Sequence, residues 1–556
     1  GRRMRGLSGD TLASALLANG QRVVGRSLKY HRPRGIVSCG PEEPCALVEV
    51  CSSHGREPNR LATTLELHEG LEVESQNRWP SLRFDVLAVN DLFARFLPAG
   101  FYYKTFMAPG PAWERVFEPL LRRAAGLGRL NASKEARHSP AETVHDHVDV
   151  LVVGAGAAGL SAALRLGQRG MRVLLVDEDV VLGGGSVLDE RWATWREAAC
   201  KAIGTMASVR CLTRTAVIGA YGHGVYAALQ TLTPVESARF GGLRERLRVV
   251  RAKAVILATG AIERLIAFPG NDVPGVMLAG SAHKFLRRFG VAVGRRPVFF
   301  LNTDEAYESV YAYAAAGIRC GGVIDTRSAS PGAERARALG IEVVAGATID
   351  GVRGRAGVRA VHIAQRDGHV RRKLEADCLL ISGGHSPNTS LASQLGAALQ
   401  WREEIAAHVA TLAPAAGRMA GAARGVFGLA AAARDGESAA QMVASQLGYE
   451  LGASATETSF PADPERALIS AVWEVAGRGK AFVDLQNDVS CEDVRLAVRE
   501  GYEHVEHMKR YTTHGMATDQ GRIGGLLGSA VLAQARGLSV AEVGQAKPRP
   551  FVQPIP

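Results

Sequence analysis

Residues 148–179, VDVLVVGAGAAGLSAALRLGQRGMRVLLVDED, restrict the fold more than any other stretch of this chain. Val148–Val153 reads as an apolar strand, Gly154-x-Gly156-x-x-Gly159 as a turn, the small residues that follow as a helix, and Val173–Val176 as a second strand. This is a βαβ unit built for a diphosphate. Gly154 permits the tight turn, Gly156 lets backbone approach the phosphates, and Gly159 lets helix and strand pack closely. The free N–H groups at the helix start then favour an anion. Asp177, 18 residues after Gly159, and Glu178 beside it are placed to accept hydrogen bonds from a ribose. A carboxylate there repels a 2′-phosphate, so NAD or FAD is expected rather than NADP.

A second apolar strand ends in Ala258-Thr259-Gly260, within AVILATGAIERLIAFPGNDVPGVMLAG (254–280). Residues 295–327 repeat the βαβ pattern, with a strand at Val298–Leu301, a helix and a closing Asp325. Here the turn reads Asn302-Thr303-Asp304-Glu305, with two carboxylates where a diphosphate needs bare backbone. This half is expected to keep its fold without a ligand. The first helix has no CxxC pair, which removes disulfide reductase chemistry; Cys200 and Cys211 read as packing thiols. Residues 379–396 and 420–440 return the chain to the first unit, and the glycine and alanine of 420–440 suit backbone that lies close to a cofactor.

At 556 residues the chain exceeds a single core, and roughly 100–200 residues per domain gives three or four. Its apolar runs are broken by glycine and fall short of the roughly 20 residues of a membrane span. The opening GRRMRGLSGD lacks the apolar region of a secretory signal. Eight scattered cysteines fit a reducing compartment, so cytoplasm is expected. The formal charge of +11 is concentrated early, with eight basic residues against Asp10 alone in residues 1–35. Nucleic-acid readers interleave such charge with stacking aromatics, and only Tyr30 does so here, which favours an anionic cofactor or an acidic partner. GRSLKYHRPRG (25–35) with Lys104 could hold a flavin phosphate or a neighbouring protein; a structural role is equally open. His145-Asp146-His147 reads as a solvated linker, and His504, Glu506 and His507 as an exposed helical face.

IVSCGPEEPCALVEVC (36–51) places Cys39, Cys45 and Cys51 at C-x5-C-x5-C. A plant-type [2Fe–2S] loop needs C-x4-C-x2-C and a distant fourth thiol. No fourth cysteine follows before Cys200, so these are expected to be packing or loop thiols.

Residues 148–450 resemble the pyridine-nucleotide–disulfide reductase superfamily. The motifs of 8–36, SQNRWPSLRFDVLAVND (75–91), AGFYYKTFM (99–107), ATGAIER, GGHSPN and FVDLQNDVSCEDVRLAVREGYEHVEHMKRYTTHGMATDQGR (482–522) narrow this further. They resemble the alpha subunits of heterotetrameric sarcosine oxidase, a family whose plan is shared by opine oxidases, proline and hydroxyproline dehydrogenases and hydrogen cyanide synthase. The resemblance implies an α/β, two-dinucleotide-domain Rossmann-like core with an N-terminal ferredoxin-like α+β domain and a small C-terminal helical domain. The expected boundaries are 1–130 for the ferredoxin-like domain, 145–290 with 379–455 for the first nucleotide domain, and 291–378 for the degenerate second one. Residues 456–546 form the helical domain and 547–556 a proline-rich linker, where the family's folate-binding domain would begin.

The helical domain resembles bacterioferritin-associated ferredoxin, with Asp484, Gln486, Asp519 and Gly524 at the four thiol positions. Ser490 and Asp493 form a capping box, and Gly501 ends that helix. What the resemblance implies for chemistry is a division of labour. A beta subunit carries FAD and oxidises sarcosine with oxygen to glycine, formaldehyde and hydrogen peroxide, FMN lies at the alpha–beta interface, and smaller gamma and delta subunits complete the assembly. This chain would bind NAD, or FAD in an opine or proline dehydrogenase relative, and carry no catalytic residue or metal. The implied cofactor-lining residues are Gly154, Gly156, Ala158, Gly159, Asp177, Glu178, Gly185, Val217, Ala258, Thr259, Gly260 and Ala422.

Overall fold

The structure, a computed structural model, describes residues 2–52, 55–104, 110–124, 142–365, 371–451 and 460–552. The βαβ unit sits at the centre of a seven-stranded sheet. Val209–Leu212, Val173–Val176, Glu142–Val153, Glu245–Leu257, Val225–Thr231 and Thr215–Tyr221 follow one another across it, with Arg418–Met419 beside Glu245–Leu257. The valines of Val150–Val152 are fully buried because parallel neighbours flank their strand on both sides. That strand is longer than expected. His145-Asp146-His147 is not a linker but lies inside Glu142–Val153, in parallel register with Val249–Arg251. Its run of polar residues hid it: Asp146 is buried and accepts from Arg248 at 2.8 Å and from Arg210.

Helix Ala157–Gly167 crosses under the long helix Leu429–Gln446 at a contact only glycine permits. A Cβ on Gly436 would lie 2.0 Å from the Ala158 carbonyl oxygen. The small residues of 429–440 therefore serve helix–helix contact, whereas Ala420 and Ala422 line a cleft.

The second sheet is fully parallel, in the order Val276–Leu278, Cys378–Ser382, Pro297–Leu301, Gly322–Asp325, Val343–Ala345. It takes in strands on both sides of residues 291–378, so this unit extends outward to Val276 and Ser382. Asp325 closes the βαβ unit, but its carboxylate points inward to Tyr307 Oη (2.8 Å) and to Arg327.

The N-terminal segment forms a three-stranded antiparallel sheet of Gly55–Leu61, Leu47–Ser52 and Glu72–Ser75. The C-terminal one is helical, with Cys491–Arg499, Val505–Thr512 and Gly525–Arg536. Ser490 and Asp493 form the expected capping box, and Gly501 follows the helix end. These ends are not separate bodies. One core joins Tyr30, Val37 and Cys45 to Phe268 and Phe300 and to Phe482, Met508 and Leu527.

The basic N-terminal stretch clamps this junction. Arg32 grips Asp272 (2.6 Å) and Asp91 (3.0 Å), and fully buried Arg34 grips Asp272 and Asp488. Burial works against the Asp272 charge, yet the two guanidiniums hold its carboxyl below the ordinary range. Removing one member of such a buried pair costs about 3–5 kcal/mol. His31 pairs with Asp85 at 2.8 Å, and Lys104 with Glu500. With Arg32, Arg34 and Lys104 committed to carboxylates, this stretch realises the structural alternative rather than a phosphate cradle.

The cysteine loop is organised around a carboxylate. Glu43 is fully buried; its Oε2 accepts from the N–H groups of Val37 (2.9 Å) and Ser38 (2.6 Å), and its Oε1 from those of Cys45 (2.7 Å) and Ala46 (3.0 Å). Four backbone donors thus converge on one carboxyl group; burial pushes it up to about 7, and these hydrogen bonds oppose the shift. The thiols diverge, Cys39 packing with the second sheet's helices and Cys45 with the C-terminal core. Burial pushes the Cys39 thiol up to about 12 and Cys45 well above its ordinary value, which keeps both protonated. At the other end, Asp484 accepts from the N–H groups of Gln486, Asn487 and Gly515, and Gln486 from Thr518, in a closed polar knot.

Candidate dinucleotide cleft

A cleft of about 2780 Å³ opens above the carboxyl ends of the first sheet's strands, bounded by all the other segments. Every candidate residue except Gly159 lines it: Gly154, Gly156, Ala158, Asp177, Glu178, Gly185, Val217, Ala258, Thr259, Gly260 and Ala422. Gly159 supports it from below. A Cβ there would sit 1.8 Å from the Gly154 carbonyl oxygen, and one on Gly154, whose φ is 97°, would sit 2.3 Å from the Ala258 carbonyl oxygen. Gly156 differs: nothing lies within 4 Å of its Cβ direction, so its missing side chain leaves room for a ligand. It is also the N-cap of helix Ala157–Gly167, with no side-chain cap on the helix's first N–H groups. A bare helix start over an open glycine fits a diphosphate.

The two acids at the end of Val173–Val176 have different duties. Asp177 Oδ2 accepts from Ala155 N–H (2.6 Å) and Oδ1 from Asp179 N–H (2.8 Å), so this carboxylate braces the glycine turn. Glu178 reaches into the cleft. It is open to the cleft yet surrounded by protein, and that burial, with Asp177 and Glu42 adding to it against Arg522, pushes its carboxyl up to about 7. Thr259 Oγ1 donates to the Asn388 carbonyl (3.0 Å), and Ala261–Glu263 pairs with His385–Pro387, docking the ATGAIER and GGHSPN motifs on each other.

Several cleft residues escaped sequence reasoning. Asp179 pairs with Lys284 (2.9 Å) and Arg288 (2.6 Å); burial opposes its charge, but the two cations hold its carboxyl down to about 2. The i, i+4 spacing of Lys284 and Arg288 on Ala279–Phe289 was the available signal. Glu263 accepts from Gly280 N–H (2.8 Å), and burial pushes it up to about 7. Arg522 and Thr518 bring the C-terminal segment to the cleft beside Glu178. Asp463 accepts from the N–H groups of Ala430 and Ala431 and so covers the start of the long helix.

The second βαβ turn is filled from within. Asp304 Oδ1 accepts from Gly332 N–H (3.0 Å) and Arg327 Nη2 (3.2 Å), and Oδ2 from Arg327 Nη1 (3.0 Å) and Ala467 N–H (2.7 Å). Arg466 pairs with Glu305, and Ser470 N–H reaches the Asn302 carbonyl. The extended segment around 466–470 therefore lies across the crevice a second dinucleotide would use. Among the described residues no group of three histidine, cysteine, aspartate or glutamate side chains is arranged to hold a metal ion.

Family models match three stretches of the chain. Residues 1–78 match a 2Fe-2S iron-sulfur cluster binding domain, residues 148–293 a pyridine nucleotide-disulphide oxidoreductase, and residues 478–556 a sarcosine oxidase A3 domain. The chain is 44% identical to the sarcosine oxidase alpha subunit of Rhizobium meliloti (strain 1021), over 100% of its own length and 56% of that protein's. It is 34% identical to the corresponding subunit of Corynebacterium sp. (strain P-1), over 98% and 54%. An opine oxidase subunit of Agrobacterium tumefaciens (strain Ach5) is 26% identical over 75% of this chain and 92% of its own. A crystal structure of L-proline dehydrogenase from P. horikoshii has the same fold, with a TM-score of 0.70 at 20% identity, covering 100% of this chain and 95% of that one. Spanning about half the length of the sarcosine oxidase subunits it matches, the chain belongs to the sarcosine oxidase alpha-subunit family of oxidoreductases.

Proposed function

We propose that this chain is the dinucleotide-binding alpha subunit of a multisubunit, sarcosine-oxidase-like flavoenzyme, in which a beta subunit oxidises the amine. The observation that carries the reading is the contrast between the two βαβ turns. One presents bare backbone and an uncapped helix start; the other is filled by Asp304 and the 466–470 segment. A chain built this way holds one dinucleotide and has its second βαβ turn filled against a nicotinamide donor, so electrons reach the complex from the amine side.

In this reading the dinucleotide is NAD. The N–H groups at the start of Ala157–Gly167 hold its diphosphate, and Glu178 accepts from a ribose hydroxyl while Asp177 keeps the turn in shape. The chain's part is to bind and orient, and to help frame, at its boundary with the beta subunit, an FMN which that subunit carries; flavin supplies the redox chemistry. Gamma and delta subunits complete the assembly. A second reading, favoured by the likeness to the opine oxidase chain, has FAD in the same cleft and electrons relayed to a carrier.

Releasing nucleotides and flavins from the purified chain and from its complex, and identifying them by mass, separates these. NAD on the chain, with FMN appearing only alongside the beta subunit, is the expected result. FAD on the isolated chain selects the second reading, and rapid NADH oxidation by the isolated chain overturns both.

A further inference from the structure

Residues 79–96 reverse the usual arrangement of a surface loop: Asp85 is buried and Asp91 is held by Arg32, while large apolar side chains face out. Trp79 is 61% exposed, Phe84 68%, Val89 44%, Leu92 81%, Phe93 55% and Phe96 50%. These side chains share one continuous stretch containing two 3₁₀ turns, Val86–Asp91 and Ala94–Phe96. So many large apolar side chains exposed on one short segment mark an interaction surface rather than scattered surface residues.

The backbone beneath is held firmly. Buried Asp85 accepts from the N–H groups of Trp79 (3.1 Å) and Leu87 (3.2 Å) and pairs with His31. Arg32 clasps Asp91, Arg26 donates to the Leu82 carbonyl (2.7 Å), and Tyr30 Oη donates to the Leu97 carbonyl (3.2 Å). The platform is therefore ordered before anything binds, which lowers the entropic cost of association. Exposed Arg83 and Arg95 flank the apolar residues, and among the described residues neither forms an ion pair.

We infer that residues 79–96 form the docking face for a different protein subunit, one that presents an apolar patch edged with carboxylates. This rests on the reading of the chain as part of a multisubunit complex. Charge selects the occupant. A second copy of this chain would bring arginine against arginine, and a partner edged with acids would pair with both. Two arginines are also fewer than the roughly four to eight basic residues that mark an anionic-lipid site. Six large side chains with two arginines beside them match the apolar core and polar edge of a protein–protein interface.

The test takes the flavoprotein beta subunit for partner and compares the wild-type chain with Phe84→Asp and Leu92→Asp. Both positions are exposed, so unchanged thermal unfolding of the free chain is expected. Sedimentation should show association with the wild-type chain that weakens by at least about 100-fold in either variant, consistent with central interface residues. Equal binding of wild type and variants overturns this face while leaving the multisubunit reading intact. No binding of the beta subunit to any form overturns both. Loss of self-association in the variants, or their release from phosphatidylglycerol vesicles that the wild type binds, overturns the inference in favour of a second copy or a lipid surface.

Discussion

Glu43→Gln is the most informative single change in the cysteine loop. The substitution keeps shape and volume but replaces an acceptor oxygen by an NH₂ group. In the native loop Oε2 accepts from Val37 and Ser38, and Oε1 from Cys45 and Ala46. Whichever way the amide is turned, two N–H donors then face a third donor with no water to replace it. Each buried donor left without a partner costs about 1–3 kcal/mol, so the variant should lose about 2–6 kcal/mol. By contrast, exposed Glu69→Gln should change stability by less than about 0.5 kcal/mol. Urea unfolding gives the total, and amide hydrogen exchange gives the location. Exchange should accelerate at Val37 and Ser38 or at Cys45 and Ala46, while the amides of Val150–Val153 in the first sheet stay protected. A variant as stable as wild type, with all four loop amides still protected, would refute the idea that one carboxylate organises this loop.

Gly156→Ala should fold with stability within about 0.5 kcal/mol of wild type, because its Cβ meets nothing, yet release the dinucleotide, as equilibrium dialysis will measure. Gly159→Ala should instead destabilise the first domain by about 2 kcal/mol or more, its Cβ meeting the Gly154 carbonyl; equal thermal stability of the two variants would contradict the packing. Glu178 accepts best when ionised, so dinucleotide affinity should rise up to about tenfold per pH unit below about 7 and level off above it, and Glu178→Gln should abolish the trend in calorimetric titrations. Burial and Asp484 push Asp519 up to about 7 from 3.8. Its folded form therefore holds the proton more tightly than the unfolded one, and its contribution is full below 3.8 and lost as pH rises through about 7. Relative to Asp519→Asn, wild type should lose at most about 4 kcal/mol of stability across that window, and parallel stability–pH curves would rule this out.

The first βαβ unit could be read from sequence because all its determinants are local: strand, glycines, helix and acid follow within about thirty residues. The carboxylates in the second turn were legible for the same reason, since Asp304 and Glu305 stand in the turn itself. What fills the crevice was not. Ala467 lies 163 residues from Asp304, and no periodicity links them. The clamp was hidden likewise, Arg34 meeting Asp272 and Asp488 across 238 and 454 residues, so that only an excess of positive charge was visible. His145-Asp146-His147 misled because a strand whose polar face is paired by arginines loses the alternation that identifies strands. The division between Asp177 and Glu178 depends on which carboxylate the Ala155 amide captures, a difference that adjacent acids do not disclose in sequence.

Arg34 ties residues from both ends of the chain to one core, and this bears on how such a protein can be inherited in pieces. Recombination that brought in a first hundred residues without this arginine would strand Asp488 in the interior without its cation. The two segments must then travel together, and stretches 454 residues apart become a single unit of selection.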